Sequence, residues 1–171
     1  MSPYPPFTIP QLLWVNFGMG LIVALALATL PPVGDEKKLL TTSSLSEIFS
    51  RRMLKSAVLT GVYFAVLMVA LMWVFSPFTL DESGVYFTFF CLLQYWNVFF
   101  IARGHMDGGL RGLLKCPLFW LVMALLLIIQ LSVMDLAYTQ FDIAPMNPVF
   151  TLIDIAVSFV AVAMKIIINK K

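Results

Sequence analysis

Apolar positions along this 171-residue chain fall into five long blocks separated by short polar stretches. The blocks cover residues 11–30, 53–76, 85–102, 117–134 and 149–168. Each is near the roughly 20 residues needed to cross a hydrocarbon core. In lipid a lone strand would leave its backbone N–H and C=O groups unpaired, so each block is predicted to be a helix. The pattern predicts an all-α fold, a polytopic bundle of five transmembrane helices forming one domain over residues 1–171.

The polar stretches set the boundaries. Pro5, Pro6 and Pro10 keep the N-terminal tail extended, and Pro31 and Pro32 stop the first helix. Ser44 and Glu47 have capping-box spacing, which starts the second helix near Leu45, ahead of its apolar run. Residues 77–84 read as a short turn. Residues 103–116 read as a glycine-rich loop carrying His105, and residues 135–148 as the longest connection, closed by Pro145 and Pro148. A lone histidine without other ligands gives no metal site.

Composition agrees with a membrane protein. The chain is 61% hydrophobic with a mean hydropathy of +0.94, and 12% of its residues are charged, against about 25% in soluble domains. A net charge of +2 gives no reason to expect nucleic acid as a partner. Its distribution is more informative. Lys37, Lys38, Arg51, Arg52 and Lys55 lie in the first connection, Arg103, Arg111 and Lys115 in the third, and Lys165, Lys170 and Lys171 at the C-terminal end. With five crossings all eleven basic residues fall on one side of the membrane. The positive-inside rule makes that side cytoplasmic, with the N-terminus outside. Trp14, Trp73, Tyr86 and Tyr138 then fall near the outer interface and Trp120 near the inner one. No basic n-region or small-residue cleavage site is visible near the start, so the first span is expected to stay in the bilayer. The expected location is a plasma or inner membrane. Cys91 and Cys116 differ too much in depth for a disulfide and read as small apolar side chains.

Polar residues inside the blocks are the candidates for chemistry, because an unpaired polar group in hydrocarbon is costly. Asn16, Gly20, Ala24 and Ala28 recur at four-residue spacing and share one helix face. One reading is a packing stripe with an interhelical hydrogen bond from Asn16, since small residues let helices approach closely. The other is an ion-coordinating carbonyl at Asn16, with Gly18 and Gly20 loosening the helix. Gln94 and Asn97 lie three positions apart in the third block, and Asp154 lies about one and a half turns into the fifth, where it could reach the interface or pair with a neighbour. No phosphate-binding loop or nucleophile arrangement is present in these residues, and no cofactor is expected.

Residues 6–32 resemble the sixth transmembrane helix of calcium-type P-type cation ATPases. The resemblance rests on Pro6 and Pro10 in the outer stretch, on Leu13, Trp14, Val15 and Asn16 in order, and on the closing Pro31 and Pro32. Arg52, Met53, Leu54 and Lys55 resemble the basic start of the family's seventh helix. Residues 87–103, with Gln94, Asn97, Ala102 and Arg103, resemble its eighth. The resemblance covers almost the whole chain and is weaker after Cys116. It implies the C-terminal membrane half of a calcium or other cation pump, helices six to ten. The family's phosphorylated aspartate motif, its nucleotide-binding and actuator domains and its fourth-helix glutamate have no counterpart in these residues. The family places a cation-binding aspartate four positions after the asparagine; here that position is Gly20. A glycine offers no charge to a divalent ion, so Asn16 is left as the single metal-ligand candidate.

The expected function is therefore that of a non-catalytic membrane scaffold or partner, without ATPase activity of its own. Its partners would be the lipid bilayer and other membrane helices or a catalytic pump chain. Two alternatives stay open: the membrane half of a split cation pump, and a small cation channel or carrier.

Overall fold

The computed structural model describes residues 7–31, 51–74, 79–106, 108–136, 138–141, 143 and 147–169; the helix start expected near Leu45 and the closing Pro32 lie outside them. Five helices are long and apolar enough to cross a membrane, and no strand occurs among the described residues. We number the helices α1 (Ile9–Ala28), α2 (Arg51–Val74), α3 (Leu80–His105), the short α4 (Leu110–Leu113), α5 (Pro117–Leu136) and α6 (Pro148–Asn169).

The apolar blocks located the spans, but one boundary differs in kind. The third block is among the shortest in the sequence, yet α3 is the longest helix among the described residues, with 26. It starts early because Thr79 caps it. The Thr79 hydroxyl accepts the Glu82 N–H at 3.4 Å, and the Glu82 carboxylate accepts the Thr79 N–H at 2.7 Å. This reciprocal pairing satisfies two backbone donors that a helix start otherwise leaves open. Residues 80–84, expected in a turn, are therefore helical. At the other end α3 runs through His105, which closes the helix instead of sitting in a loop. The chain then reverses at Gly108 and Gly109, whose φ angles of 77° and 60° favour residues without a Cβ. α5 likewise extends to Leu136, so Asp135 is helical.

α3 is the central element. Half of its apolar window is buried, against a third or less for every other span. On one side Phe89 and Leu93 pack with Phe64 and Met68 of α2 and Ala161 and Val162 of α6. On another, Val98 and Ala102 meet Ala26 of α1, Leu113 of α4, and Phe119 and Met123 of α5. Toward the opposite end, Phe87 and Cys91 meet Met19 of α1 and Leu126 and Met134 of α5. In a bilayer this association gains little from excluding water; close packing and interhelical hydrogen bonds carry it. Tyr63 supplies one such bond, donating to the Ala161 carbonyl of α6 at 2.8 Å. Both cysteines are free. Tyr86, expected in an interfacial belt, is buried against Phe7.

Candidate functional site in the membrane helices

The first helix is built in three parts. An α-helical turn (Ile9–Leu13) leads into a π-helical segment (Trp14–Met19), and α-helix resumes from Gly20 to Ala28. Such widened turns are rare, and they are frequent at functional sites. Here the local cause is legible. A Cβ on Gly18 would lie 2.5 Å from Trp14 Cε3, so the ring rests where a side chain would otherwise be. Trp14 in turn donates its indole N–H to Gln130 Oε1 of α5 at 2.8 Å.

One turn earlier, Gln11 is fully buried. Its Nε2 donates to the Phe141 carbonyl at 2.8 Å, and its Oε1 accepts the Thr8 N–H at 3.0 Å. The Thr8 hydroxyl also donates to the Phe141 carbonyl, at 3.4 Å. These bonds pin the start of α1 to the connection between α5 and α6. Phe141 also stacks on Phe87 of α3, with ring centroids 5.8 Å apart.

Asn16 sits inside the π-helical segment but faces away from these contacts. It is exposed, and its Nδ2 donates to the Leu12 carbonyl of its own helix at 2.9 Å. Ala24 and Ala28 are exposed as well, and Gly20 is half-buried. The buried side of α1 is carried by Gln11, Met19 and Ala26. Among the described residues, Asn16, Ala24 and Ala28 of the small-residue stripe therefore lie outside the packed side of the helix. A Cβ at Gly20 would meet only the Val15 carbonyl, at 3.8 Å. Among the described residues no group of three or more His, Cys, Asp or Glu side chains gathers in a way that could hold a metal ion.

The other candidates divide. Gln94 and Asn97 are brought together with Lys165 of α6, whose ammonium donates to Asn97 Oδ1 at 3.0 Å. Asn16 and Asp154 do not line that cleft. Asp154 is buried at 6% exposure, and its Oδ2 has no hydrogen-bond partner. It therefore faces the packed helices, and its Oδ2 finds no partner there. One turn on, Ser158 accepts the Trp96 indole N–H at 3.1 Å. Gln11, Gln130, Ser158 and Lys165 do not stand out in the sequence reading. Gln130 nevertheless carries a signal like that of Asn16, an amide within an apolar block.

The arrangement is that of a membrane helix assembly whose polar groups mostly serve one another, with one amide left facing outward. No solved structure matches this chain. Residues 4–170 match the family described as cation transporting ATPase, C-terminus, and the chain belongs to that family.

Proposed function

We propose that this chain acts as a non-catalytic membrane domain that docks on other membrane helices through the Asn16, Gly20, Ala24 and Ala28 face of α1. The observation that carries this is the division of α1 into two sides. Met19 and Ala26 are buried within the chain, while Asn16, Ala24 and Ala28 are exposed. Small residues at four-residue spacing permit close helix approach, and an outward amide supplies a hydrogen bond to a partner. In this reading the basic end faces the cytoplasm and the N-terminus lies outside. The 171 residues carry no phosphorylation motif, so ATP hydrolysis belongs to another polypeptide segment. Affinity purification from native membranes tests the docking. A partner carrying membrane helices is expected with the wild-type chain and lost with Ala24→Leu. Equal recovery with both would reject this face as the docking surface.

A second reading is a working half of a cation pump, calcium being the ion that the sixth-helix resemblance suggests. It is favoured by the place of Asn16 inside a π-helical segment, where the backbone departs from regular α-helix. It requires that the co-purified partner carry the phosphorylation motif and that the pair hydrolyse ATP on addition of the cation. Cation-stimulated hydrolysis by the purified chain alone would sink both readings.

A further inference from the structure

A cleft of about 460 Å³ opens between α2, α3 and α6, lined by Ser56, Thr60, Phe64, Gln94, Asn97 and Lys165 among others. We propose that it receives a phosphate-bearing anion, either the headgroup of an acidic phospholipid or free phosphate. Among the described residues Lys165 is the charged residue of the lining, and no carboxylate lines the cleft with it. Its contacts among the described residues are neutral: a hydrogen bond to the Asn97 amide at 3.0 Å, and the Phe64 ring, with its centroid 5.7 Å away. Because Asn97 Oδ1 accepts from Lys165, the Asn97 NH₂ remains a donor. Ser56 and Gln94 add a hydroxyl and a second amide. The Thr60 hydroxyl is turned to the Ser56 carbonyl at 2.8 Å and offers no proton. One ammonium with several neutral donors suits a phosphate, whose oxygens accept without needing a second full charge.

The depth of the cleft fits as well. Lys165 lies three residues before the end of its apolar block, at Ile168, and Ser56 three residues after the start of another, at Met53, each within one helical turn of the block's end. The cleft therefore sits at the edge of the hydrocarbon, where basic pockets between membrane helices meet acidic headgroups. A lysine that only reached toward water would extend past the helix end. This one is held inward by Asn97 and Phe64. The inference does not depend on the docking face of α1, which lies on a helix that contributes nothing to this lining.

The test uses the full chain reconstituted in phosphatidylcholine vesicles, with spin-labelled phosphatidylglycerol or phosphatidylcholine as the probe. The expected result is about a fivefold preference for phosphatidylglycerol, the effect of one lysine at a membrane surface. It should fall to no preference in Lys165→Gln and persist in Lys115→Gln, an exposed lysine outside the cleft. Ser56→Leu fills the cleft while keeping the charge, so it should also abolish the preference, which guards against misfolding of the Lys165 variant. Millimolar inorganic phosphate distinguishes the two sources. Displacement of the labelled lipid assigns the site to free phosphate, and failure to displace it assigns the site to the headgroup. A wild-type chain without preference, or a preference that survives both Lys165→Gln and Ser56→Leu, overturns the proposal.

Discussion

Trp14 and Gln130 meet across 116 positions of sequence, the indole N–H donating to the amide oxygen at 2.8 Å. The bond fixes α1 against α5, with Gln130 buried and Trp14 half-buried among the packed helices. It is not fully complementary, because Gln130 Nε2 is buried without a hydrogen-bond partner; the Cys91 thiol adjoins it but does not meet hydrogen-bond geometry. The pair thus makes one good bond and leaves one donor unsatisfied.

A double-mutant cycle with Trp14→Phe and Gln130→Leu should give a coupling between about 0.6 kcal/mol, the average for hydrogen bonds between membrane helices, and about 1.7 kcal/mol, the largest. Trp14→Phe should be the more costly single change, since it also empties space over Gly18. Gln130→Leu removes the orphaned donor together with the acceptor, which offsets part of its cost. Reversible unfolding in mixed detergent micelles measures all three variants. A coupling of zero would mean that the contact positions the helices without stabilising them.

The two glycines flanking the end of the π-helical segment should respond in opposite directions. Gly18→Ala would place a Cβ 2.5 Å from Trp14 Cε3 and 2.7 Å from Cζ3. The ring cannot swing aside without breaking its bond to Gln130, so the change should cost about 1–3 kcal/mol, as overpacking does. At Gly20 the nearest atom to a new Cβ is 3.8 Å away, in ordinary contact. Gly20→Ala should be neutral or stabilising by up to about 1 kcal/mol through reduced backbone freedom. The same unfolding assay reads both. A neutral Gly18→Ala would show that Trp14 is free to move.

What the sequence conveyed follows from what hydropathy can encode. Five spans were legible because length and apolar content are local properties, and both are imposed by the bilayer. The start of α3 was legible in principle: Thr79 and Glu82 have the spacing that Ser44 and Glu47 share, but Pro77 just before them is equally a turn signal. The central place of α3 was not legible, because its composition resembles that of its neighbours and only packing distinguishes it. The π-helical segment required knowing that Trp14 folds over Gly18. The role of Gln11 depends on a carbonyl 130 positions away. For the candidate site, residue types were found at Asn16, Gln94, Asn97 and Asp154. The groups they face were not, since partners such as Lys165 come from other helices.

Asp154 should weaken the fold as it stands. A carboxylate at 6% exposure with Oδ2 unpartnered carries desolvation that no hydrogen bond to that atom offsets. Asp154→Asn keeps the shape and removes the charge, so it should raise stability by about 1 kcal/mol, judged against the cost of unpaired buried polar groups. Thermal unfolding in detergent checks the direction. A loss of stability instead would mean that Asp154 holds a bound cation or proton needed by the fold.

Gly20→Asp asks whether the outward face of α1 can be made to hold a cation. The variant places an acid where the sixth-helix resemblance implies one, and the 3.8 Å clearance leaves room for a Cβ there. An amide and one carboxylate fall well short of the six to eight oxygens calcium takes, so any site should be weak, with Kd on the order of 10⁻³ M. Wild type should show no site in terbium luminescence titrations, Gly20→Asp a weak one displaced by calcium, and the double variant with Asn16→Leu none. The π-helical segment supplies the specific way this can fail. In regular α-helix, positions four apart stand nearly above one another. A widened turn over Trp14–Met19 changes the rotation between Asn16 and position 20. If Gly20→Asp binds no better than wild type while remaining folded, the two oxygens do not converge on one ion. The face of α1 then serves helix packing alone.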